Sequence, residues 1–306
     1  MTMLTYGLDI GGTKIETAIF NENLEQVDCW RVKTPVNDYQ QFLSTVIAQI
    51  EAADAKSHSK GSIGIGMPGL IDHQGKVLSA NIPCATGKLI KPDLELALKR
   101  SVVIHNDTRC FALSEAWHGA GQDFSRVFCA IIGTGAAGGM CVDGKLQKTQ
   151  LGVAGEYGHL PLSAVLQQKY KLPVLQCGCG LMGCVESYIS GPGISKLYQH
   201  FANEQISAKE WHLRLVQGEH YAQVVLSCYL DILGEVFATL VKLMEPEAIV
   251  LGGGLSLVDA IVDGLPEYIA RHMFPGFQSP KVLRAKYGDS SGVRGAAILG
   301  ANHAIC

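Results

Sequence analysis

One plan, a strand, a glycine turn, a second strand and a polar turn, occurs twice in this chain and constrains its fold more than anything else in it. In the first copy Leu4–Ile10 reads as an apolar strand, Gly11-Gly12 as a tight turn, Ile15–Phe20 as a strand and Asn21–Asn23 as a polar turn. About 120 residues later Val127–Ile132 is an apolar run, Gly133-Thr134-Gly135 a turn, and Gly139–Val142 a strand closed by Asp143-Gly144, a strong hairpin signal. Two copies predict two related domains, each opening with a hairpin, and a ligand held between their turns in an interdomain cleft.

The segments between the copies alternate. A helix is predicted over Tyr39–Ala53, a buried strand over Ser62–Gly66, a strand over Val102–His105 and a helix from Arg109 to about His118. This is the pattern of an α/β protein with a largely parallel sheet. Later come a long helix, Tyr221–Met244, stopped by Pro246, and a strand, Ala248–Leu251, running into Gly252-Gly253-Gly254 and a helix from about Leu257. A last helix, about Gly292–His303, follows the turn Gly288-Asp289-Ser290-Ser291. A chain of 306 residues, 47% hydrophobic, exceeds the size at which single cores stop growing.

A net charge of −3 and the absence of a Lys/Arg run leave no electrostatic footprint for nucleic acid or an anionic membrane, so the expected partners are small molecules. The start of the chain has no basic region and no small-residue cleavage site, and no uninterrupted apolar run approaches the roughly 20 residues a membrane helix needs. A soluble, cytoplasmic protein is expected.

Ten cysteines in such a chain read as reduced thiols or metal ligands rather than disulfides. Cys29, Cys84, Cys110, Cys129, Cys141, Cys228 and Cys306 are scattered, several among apolar neighbours, and read as small core residues. Cys177, Cys179 and Cys184 lie in a glycine-rich run shortly after Glu156-Tyr-Gly-His159. Three thiolates and the His159 imidazole complete the tetrahedral set preferred by structural zinc, with no position left open for water. The predicted work of the ion is to pin Glu156, His159 and Glu186 around a pocket.

Asp9-Ile-Gly-Gly-Thr13-Lys14 puts an acid near the carboxyl end of a strand and small residues after it, so phosphate oxygens can reach backbone N–H groups. Asp9 is then placed to hold Mg²⁺ through water. Gly133-Thr134-Gly135 with Gly138-Gly139, and Gly252-Gly253-Gly254, are further strand-end glycine clusters. None is a Walker A loop or a Rossmann fingerprint, which leaves a mononucleotide cradled by several turns. His105-Asn106-Asp107 sits between a strand and a helix, at the edge where α/β sheets bind ligands. Asp107 or Thr108 is a good N-cap there, and a helix N-terminus would keep the Asp107 carboxylate ionised and available as a base. Asn81-Ile-Pro83 and Met67-Pro68-Gly69 read, by themselves, as turns.

Together, Asp9–Lys14, Asn106-Asp107, Gly133–Gly135, Glu156-Tyr-Gly-His159, the three cysteines with Glu186, and Gly252–Gly254 resemble the ROK family of bacterial sugar kinases nearly end to end. Gly7–Lys14, Asn81–Lys88, Leu113-Ser-Glu-Ala-Trp117 and Gly288–Gly295 most resemble its N-acetyl-D-glucosamine kinases. The resemblance implies an α/β, two-domain actin-like (ribonuclease H-like) ATPase fold with an interdomain cleft. The expected division is residues 1–118 with 291–306, and a larger domain, 119–290, carrying the zinc loop. It also implies zinc held by His159, Cys177, Cys179 and Cys184, a homodimer, and transfer of the ATP γ-phosphate to a hexose 6-hydroxyl. Asp107 is the expected base, and Gly69, Asn81, Asn106, Asp107, Glu156, His159 and Glu186 are the expected sugar-side residues. Asp9, Gly11, Gly12, Thr13, Lys14, Gly133, Thr134, Gly135, Gly138, Gly252, Gly253 and Gly254 are expected on the nucleotide, with Mg²⁺.

There are departures: Ala136 and Ala137 stand in a loop often richer in glycine, and Arg109 either tunes the base or points to solvent. Fructokinase or mannokinase activity is the alternative within the family. Outside enzymes, a ROK-type sugar-responsive repressor would carry a helix-turn-helix ahead of the body, whereas the first strand here begins at about Leu4. A non-catalytic scaffold would have no need of Asp107 and the phosphate turns.

Overall fold

The computed structural model describes residues 4–301. In chain order the elements are strands β1 (Thr5–Ile10), β2 (Lys14–Phe20) and β3 (Gln26–Lys33), helix α1 (Tyr39–Ser57), strands β4 (Ser62–Met67), β5 (Leu70–Ile71) and β6 (Val77–Leu78), helix α2 (Ile90–Leu98), strand β7 (Val103–Asn106) and helix α3 (Asp107–Trp117). The second copy follows with β8 (Arg126–Ile132), β9 (Ala136–Val142) and β10 (Lys145–Leu146). Helices α4 (Ala164–Tyr170), α5 (Glu186–Ile189), α6 (Gly191–Ala202), α7 (Ala208–Val216) and α8 (His220–Met244) come next. The chain ends with β11 (Ala248–Gly252), α9 (Asp259–Arg271), β12 (Lys281–Arg284) and α10 (Ser291–Gly300).

The duplicated plan is a duplicated sheet. One five-stranded sheet has the order β3-β2-β1-β4-β7 and the other β10-β9-β8-β11-β12, with hairpin strands antiparallel and the following ones parallel. Contacts group the chain into two compact units. Unit one holds the chain up to Ser125, the segment Gly139–Ala154 and everything from Lys286 on; unit two holds Arg126–Gly138 and Gly155–Ala285. The division expected from the sequence lay at residue 118 with a return at 291, and it kept 139–154 in the larger domain.

In unit one, β1 and β4 are buried and almost continuously apolar, as central parallel strands must be. Helix α1 buries Phe42, Val46, Ile50 and Ala53, a helical spacing, each large side chain contributing about 1.5–3 kcal/mol. Asp38 caps it by accepting from Gln41 N, and His58 ends it in the left-handed conformation. The sequence reading stopped this helix early, at Ala53. Helix α10 lies so close to the sheet that a Cβ at Gly7 would sit 2.0 Å from the Val293 carbonyl and one at Gly64 would sit 1.8 Å from that of Ala296. The end expected for this helix, His303, and the expected core residue Cys306 lie outside the described residues.

In unit two, Glu219 caps α8 through Tyr221 N and Ala222 N, and Glu245 closes it with φ 49° just before Pro246. Among the described residues α8 alone is long and apolar enough to cross a membrane, but 67% of its most apolar window is buried in protein, which marks it as a core helix. Strands β3 and β12 and helices α2 and α4 were not read in the sequence, because their apolar patterns are short or half-exposed.

Candidate functional site

In unit one, β1 delivers Asp9 to the mouth of the first glycine turn. Gly11 N donates to Lys14 O at 2.8 Å, and Thr34 fastens the turn through Thr34 N to Thr13 O and Thr34 Oγ1 to Gly11 O. Asp9 lies against the first turn of α10, where a Cβ at Gly292 would be 2.4 Å from its Oδ2. Asn81 stands over the turn by its backbone, its carbonyl 2.9 Å from where a Gly12 Cβ would be. The turn is therefore lined with backbone and open to a phosphate oxygen.

Strand β7 ends at Asn106, which is the N-cap of α3. This corrects the expected cap: Asn106 Oδ1 accepts from Thr108 N at 2.9 Å and also from Thr108 Oγ1, while Asn106 Nδ2 donates to Gly69 O at 2.9 Å. Gly69 is thereby tied to Asn106. Asp107 occupies the first helical position, its Oδ1 accepting from Thr108 N at 2.8 Å. Burial pushes its carboxyl above the ordinary carboxylate range, and the backbone donors of the helix start pull it back only in part. The helix start acts in the expected direction, but burial is the larger influence and the net shift is upward.

Arg109 does not point to solvent. It is 4% exposed and donates Nη1 to Thr149 Oγ1 at 2.8 Å and Nη2 to Gln147 O at 2.7 Å. Its charge joins burial, the larger cause, in lowering the His105 imidazole to about 4, so His105 is neutral beside the Asn-Asp pair. Glu115, one helical face further on, is completely buried. Its carboxylate accepts from Ala120 N, Lys286 N, Tyr287 N and Ser291 Oγ, at 3.1, 2.9, 3.1 and 2.5 Å. It locks the start of α10, beside Asp9, to the helix that begins with Asp107. This role of the Leu113–Trp117 segment was not legible in the sequence.

In unit two, the turn between β8 and β9 is closed by Gly133 N donating to Gly135 O at 2.9 Å. Ala136 N donates to Glu186 Oε2 at 2.8 Å, so Glu186 braces this turn, and Gly138 N donates to Gly155 O at 2.8 Å, just before Glu156. The turn after β11 comes alongside: a Gly133 Cβ would stand 3.9 Å from both Gly253 Cα and Gly254 N. Gly253 has φ 83° and leaves only 2.5 Å between a would-be Cβ and Ile132 O, so glycine is required twice over. Gly252 ends the strand and Gly254 opens a 3₁₀ turn. The start of α6 joins them, because Gly191, first residue of α6 after its cap Ser190, donates its N–H to Gly133 O at 2.7 Å. The start of α6 thereby buttresses the glycine turn, its own first donors being spent on Gly133 O and on Ser190. Ser190 and Gly191 were not among the expected site residues, although a serine before Gly-Pro-Gly is a legible helix start.

The metal-type cluster has the geometry expected of it. The ligand atoms of His159, Cys177, Cys179 and Cys184 all lie within 4.8 Å of one another. Cys179 Sγ and Cys184 Sγ are 3.7 Å apart, and Cys177 Sγ is 3.7 Å from His159 Nδ1. A tetrahedron with metal–sulfur bonds of about 2.3 Å has edges of about 3.8 Å. His159 turns Nδ1 to the thiols and Nε2 to Glu156 Oε2 at 3.7 Å, the carboxylate partner that ligating histidines commonly have. Cys177 Sγ is also 3.7 Å from Glu186 Oε1. Without an ion, burial pushes the Cys184 thiol up to about 12, while the Leu181 N–H, with other neighbours, holds Cys179 down. A cation fits this donor set.

The order of these parts along one chain is that of a known profile, which matches residues 5–303. The chain belongs to the ROK family. Within the family it is 46% identical over 295 residues, 96% of each chain, to an N-acetylgalactosamine kinase of Shewanella. It is 41% identical over 297 residues to an N-acetyl-D-glucosamine kinase of Vibrio cholerae, covering 96% of this chain and 98% of that one. The crystal structure of a ROK glucokinase from Streptomyces griseus with glucose and AMPPNP superimposes with a TM-score of 0.77 at 28% identity, over 97% of this chain and 98% of that one. Such ROK kinases share the two-domain actin-like ATPase architecture, and the α/β fold described here is that architecture.

Proposed function

We propose that this protein transfers the γ-phosphate of ATP to the 6-hydroxyl of N-acetyl-D-glucosamine. Asp107 accepts the proton of that hydroxyl as the bond from O6 to the γ-phosphorus forms and the bond from that phosphorus to the β-bridging oxygen breaks, releasing ADP. The reaction asks the protein for alignment and for charge stabilisation. The observation that carries the reading is Asp107 at the end of β7, enclosed, held by Thr108 N and flanked by a neutral His105.

The roles of the other residues follow the chemistry of their positions. Gly11, Gly12, Thr13 and Lys14 in unit one, and Gly133, Thr134, Gly135, Gly138, Gly252, Gly253 and Gly254 in unit two, form the turns on the phosphate side; the N–H groups of Gly11, Gly133 and Gly138 close those turns on Lys14 O, Gly135 O and Gly155 O, and the side-chain-free surface lets phosphate oxygens approach the rest. Asp9 supplies the hard oxygen for Mg²⁺, which neutralises phosphate charge when bound. Asn106, with one Nδ2 hydrogen uncommitted, Gly69, Asn81, Glu156, His159 and Glu186 face the sugar. Zinc on His159, Cys177, Cys179 and Cys184 holds the loop that carries Glu186. The ROK resemblance extends the reading to a cytoplasmic homodimer.

A second sugar is favoured by a specific observation. The Shewanella relative, at 46% identity, is named for N-acetylgalactosamine, which differs from N-acetylglucosamine only in the orientation of the 4-hydroxyl. An ADP-release assay over N-acetylglucosamine, N-acetylgalactosamine, N-acetylmannosamine, glucose, mannose and fructose tests both. The highest kcat/KM is expected with N-acetylglucosamine. Dominance of N-acetylgalactosamine moves the assignment to the epimer, and dominance of fructose overturns the hexosamine reading.

A further inference from the structure

Unit one holds a cavity of about 430 Å³ away from every residue assigned above. Its walls include His118, Lys286, Tyr287, Arg294 and the turn after β2, Asn23–Gln26. That turn follows the seven residues of β2, roughly 20 Å along the strand from the Gly11–Thr13 turn. His118 follows the eleven residues of α3, roughly 16 Å from Asp107. On β2 and α3 the cavity is thus at the opposite end from the proposed chemistry, while its Ser290 wall adjoins the start of α10.

Among the described residues that line it, the cations Lys286 and Arg294 face a single carboxylate, that of Glu25. Arg294 is 8% exposed, and among the described residues its guanidinium makes no hydrogen bond and no ion pair; its Nη1 is both sealed from water and without a partner. The group is held in place by stacking on Tyr287, 4.6 Å from the ring centroid. A guanidinium this deep ordinarily has a carboxylate or phosphate against it. The nearby buried acid Glu115 spends its oxygens on neutral donors instead. Lys286 brings a second cation, its Nζ 3.4 Å from the His118 carbonyl. His118 is shifted downward first by burial and then by the charges of Arg294 and Lys286, an independent sign that the basic groups share one field. Glu25, which also lines the cavity, accepts from Asn21 Nδ2 at 2.7 Å. A neighbouring cavity of about 420 Å³, walled by Trp117 and Ile298, shares Asn23, Leu24 and His118 and offers an apolar extension.

We propose that the cavity bounded by Arg294, Lys286 and His118 binds a small phosphate-bearing anion, a site separate from the phosphate turns. The phosphate faces the guanidinium and the Lys286 ammonium, and the body of a larger ligand extends toward Trp117. Either free phosphate or a sugar phosphate carries this chemistry.

The test is calorimetric titration of the full-length protein, saturated with AMPPNP, with inorganic phosphate and, separately, with N-acetylglucosamine 6-phosphate. Saturable binding to the wild type is expected, weakened at least about tenfold in Lys286→Gln and in Arg294→Gln, as loss of one charged hydrogen bond requires. Tighter binding of the sugar phosphate identifies it as the source, and equal binding identifies free phosphate. Lys286 is exposed, so its variant remains informative if Arg294→Gln does not fold. Absence of saturable binding, or unchanged affinity in Lys286→Gln, overturns the proposal. Binding is read directly, so a wrong sugar assignment leaves the result standing.

Discussion

The two five-stranded sheets have the same strand order, yet the chain has used their carboxyl ends differently. In unit one the end of β7 carries side-chain chemistry: a carboxylate enclosed by protein, an asparagine that ties Gly69 to the start of α3, and a buried arginine holding Gln147 and Thr149. In unit two the corresponding edge carries backbone: two glycine turns and the start of α6, braced by Glu186. Its stretch between β10 and α6 buries Tyr157, Leu166, Tyr188 and Ile189 and also brings four metal-type ligands together. One scaffold thus ends in a side-chain cluster at β7 in one copy and in paired glycine turns in the other. Duplication supplies the frame, and the loops at the strand ends decide the chemistry.

The comparison breaks first at Asp107. Asp107→Asn is expected to lower kcat by about 10²–10⁴, the usual contribution of a general base, with the melting temperature unchanged. Because burial raises this carboxyl, kcat/KM should fall as pH drops through a value above the ordinary carboxylate range of about 4, and a pH–rate profile locates it. Near wild-type turnover in the asparagine variant would remove unit one's claim to the chemistry.

Cys184→Ser should act in the opposite sense, on structure before chemistry. Elemental analysis is expected to find about one zinc per wild-type chain and little in the variant, with a lower melting temperature and activity lost alongside it. A metal-free wild type of full activity would make the cluster incidental.

Next in size is Asp231, the buried acid of unit two, 2% exposed and bonded to Lys169 Nζ, Tyr170 OH and His272 Nε2 at 2.6, 2.8 and 2.8 Å. Asp231→Ala should cost about 1–3 kcal/mol, since Lys169 is half-exposed and regains water. Burial pushes this carboxyl up, but the three donors outweigh it and hold it below its ordinary value. Its contribution is therefore complete above about pH 4 and lost as pH falls through the folded value, which urea unfolding at pH 7 and pH 3 can measure. The smallest effect belongs to Asp38→Ala, the α1 cap, at about 1 kcal/mol, visible in the same unfolding curves and silent in turnover.

How much was legible depended on distance along the chain. The glycine turns at 11–13, 133–135 and 252–254, the Cys177/Cys179/Cys184 loop with His159, and the alternation of helix and strand are local patterns, and spacing alone locates them. The cap of α3 was misread by one residue because Asn106, Asp107 and Thr108 are all good capping types, and the choice was made by Gly69, a residue 37 positions earlier. Arg109 looked free for the same reason, its acceptors lying some 40 residues ahead on another segment.

What the sequence by itself determined was the duplicated frame and the kinds of group at its strand ends, because these follow from periodicity of 2 and 3.6 and from residues with no substitute at a turn or a metal. Only the tertiary structure decided how those groups behave. The upward shift of Asp107, the bracing of Ala136 by Glu186, the contact of Gly191 with the Gly133 turn and the sealed, unpartnered Nη1 of Arg294 all depend on what a distant segment packs beside them. Proton affinity and counter-charge are set by the surroundings of a side chain, and those surroundings exist only after the chain has folded.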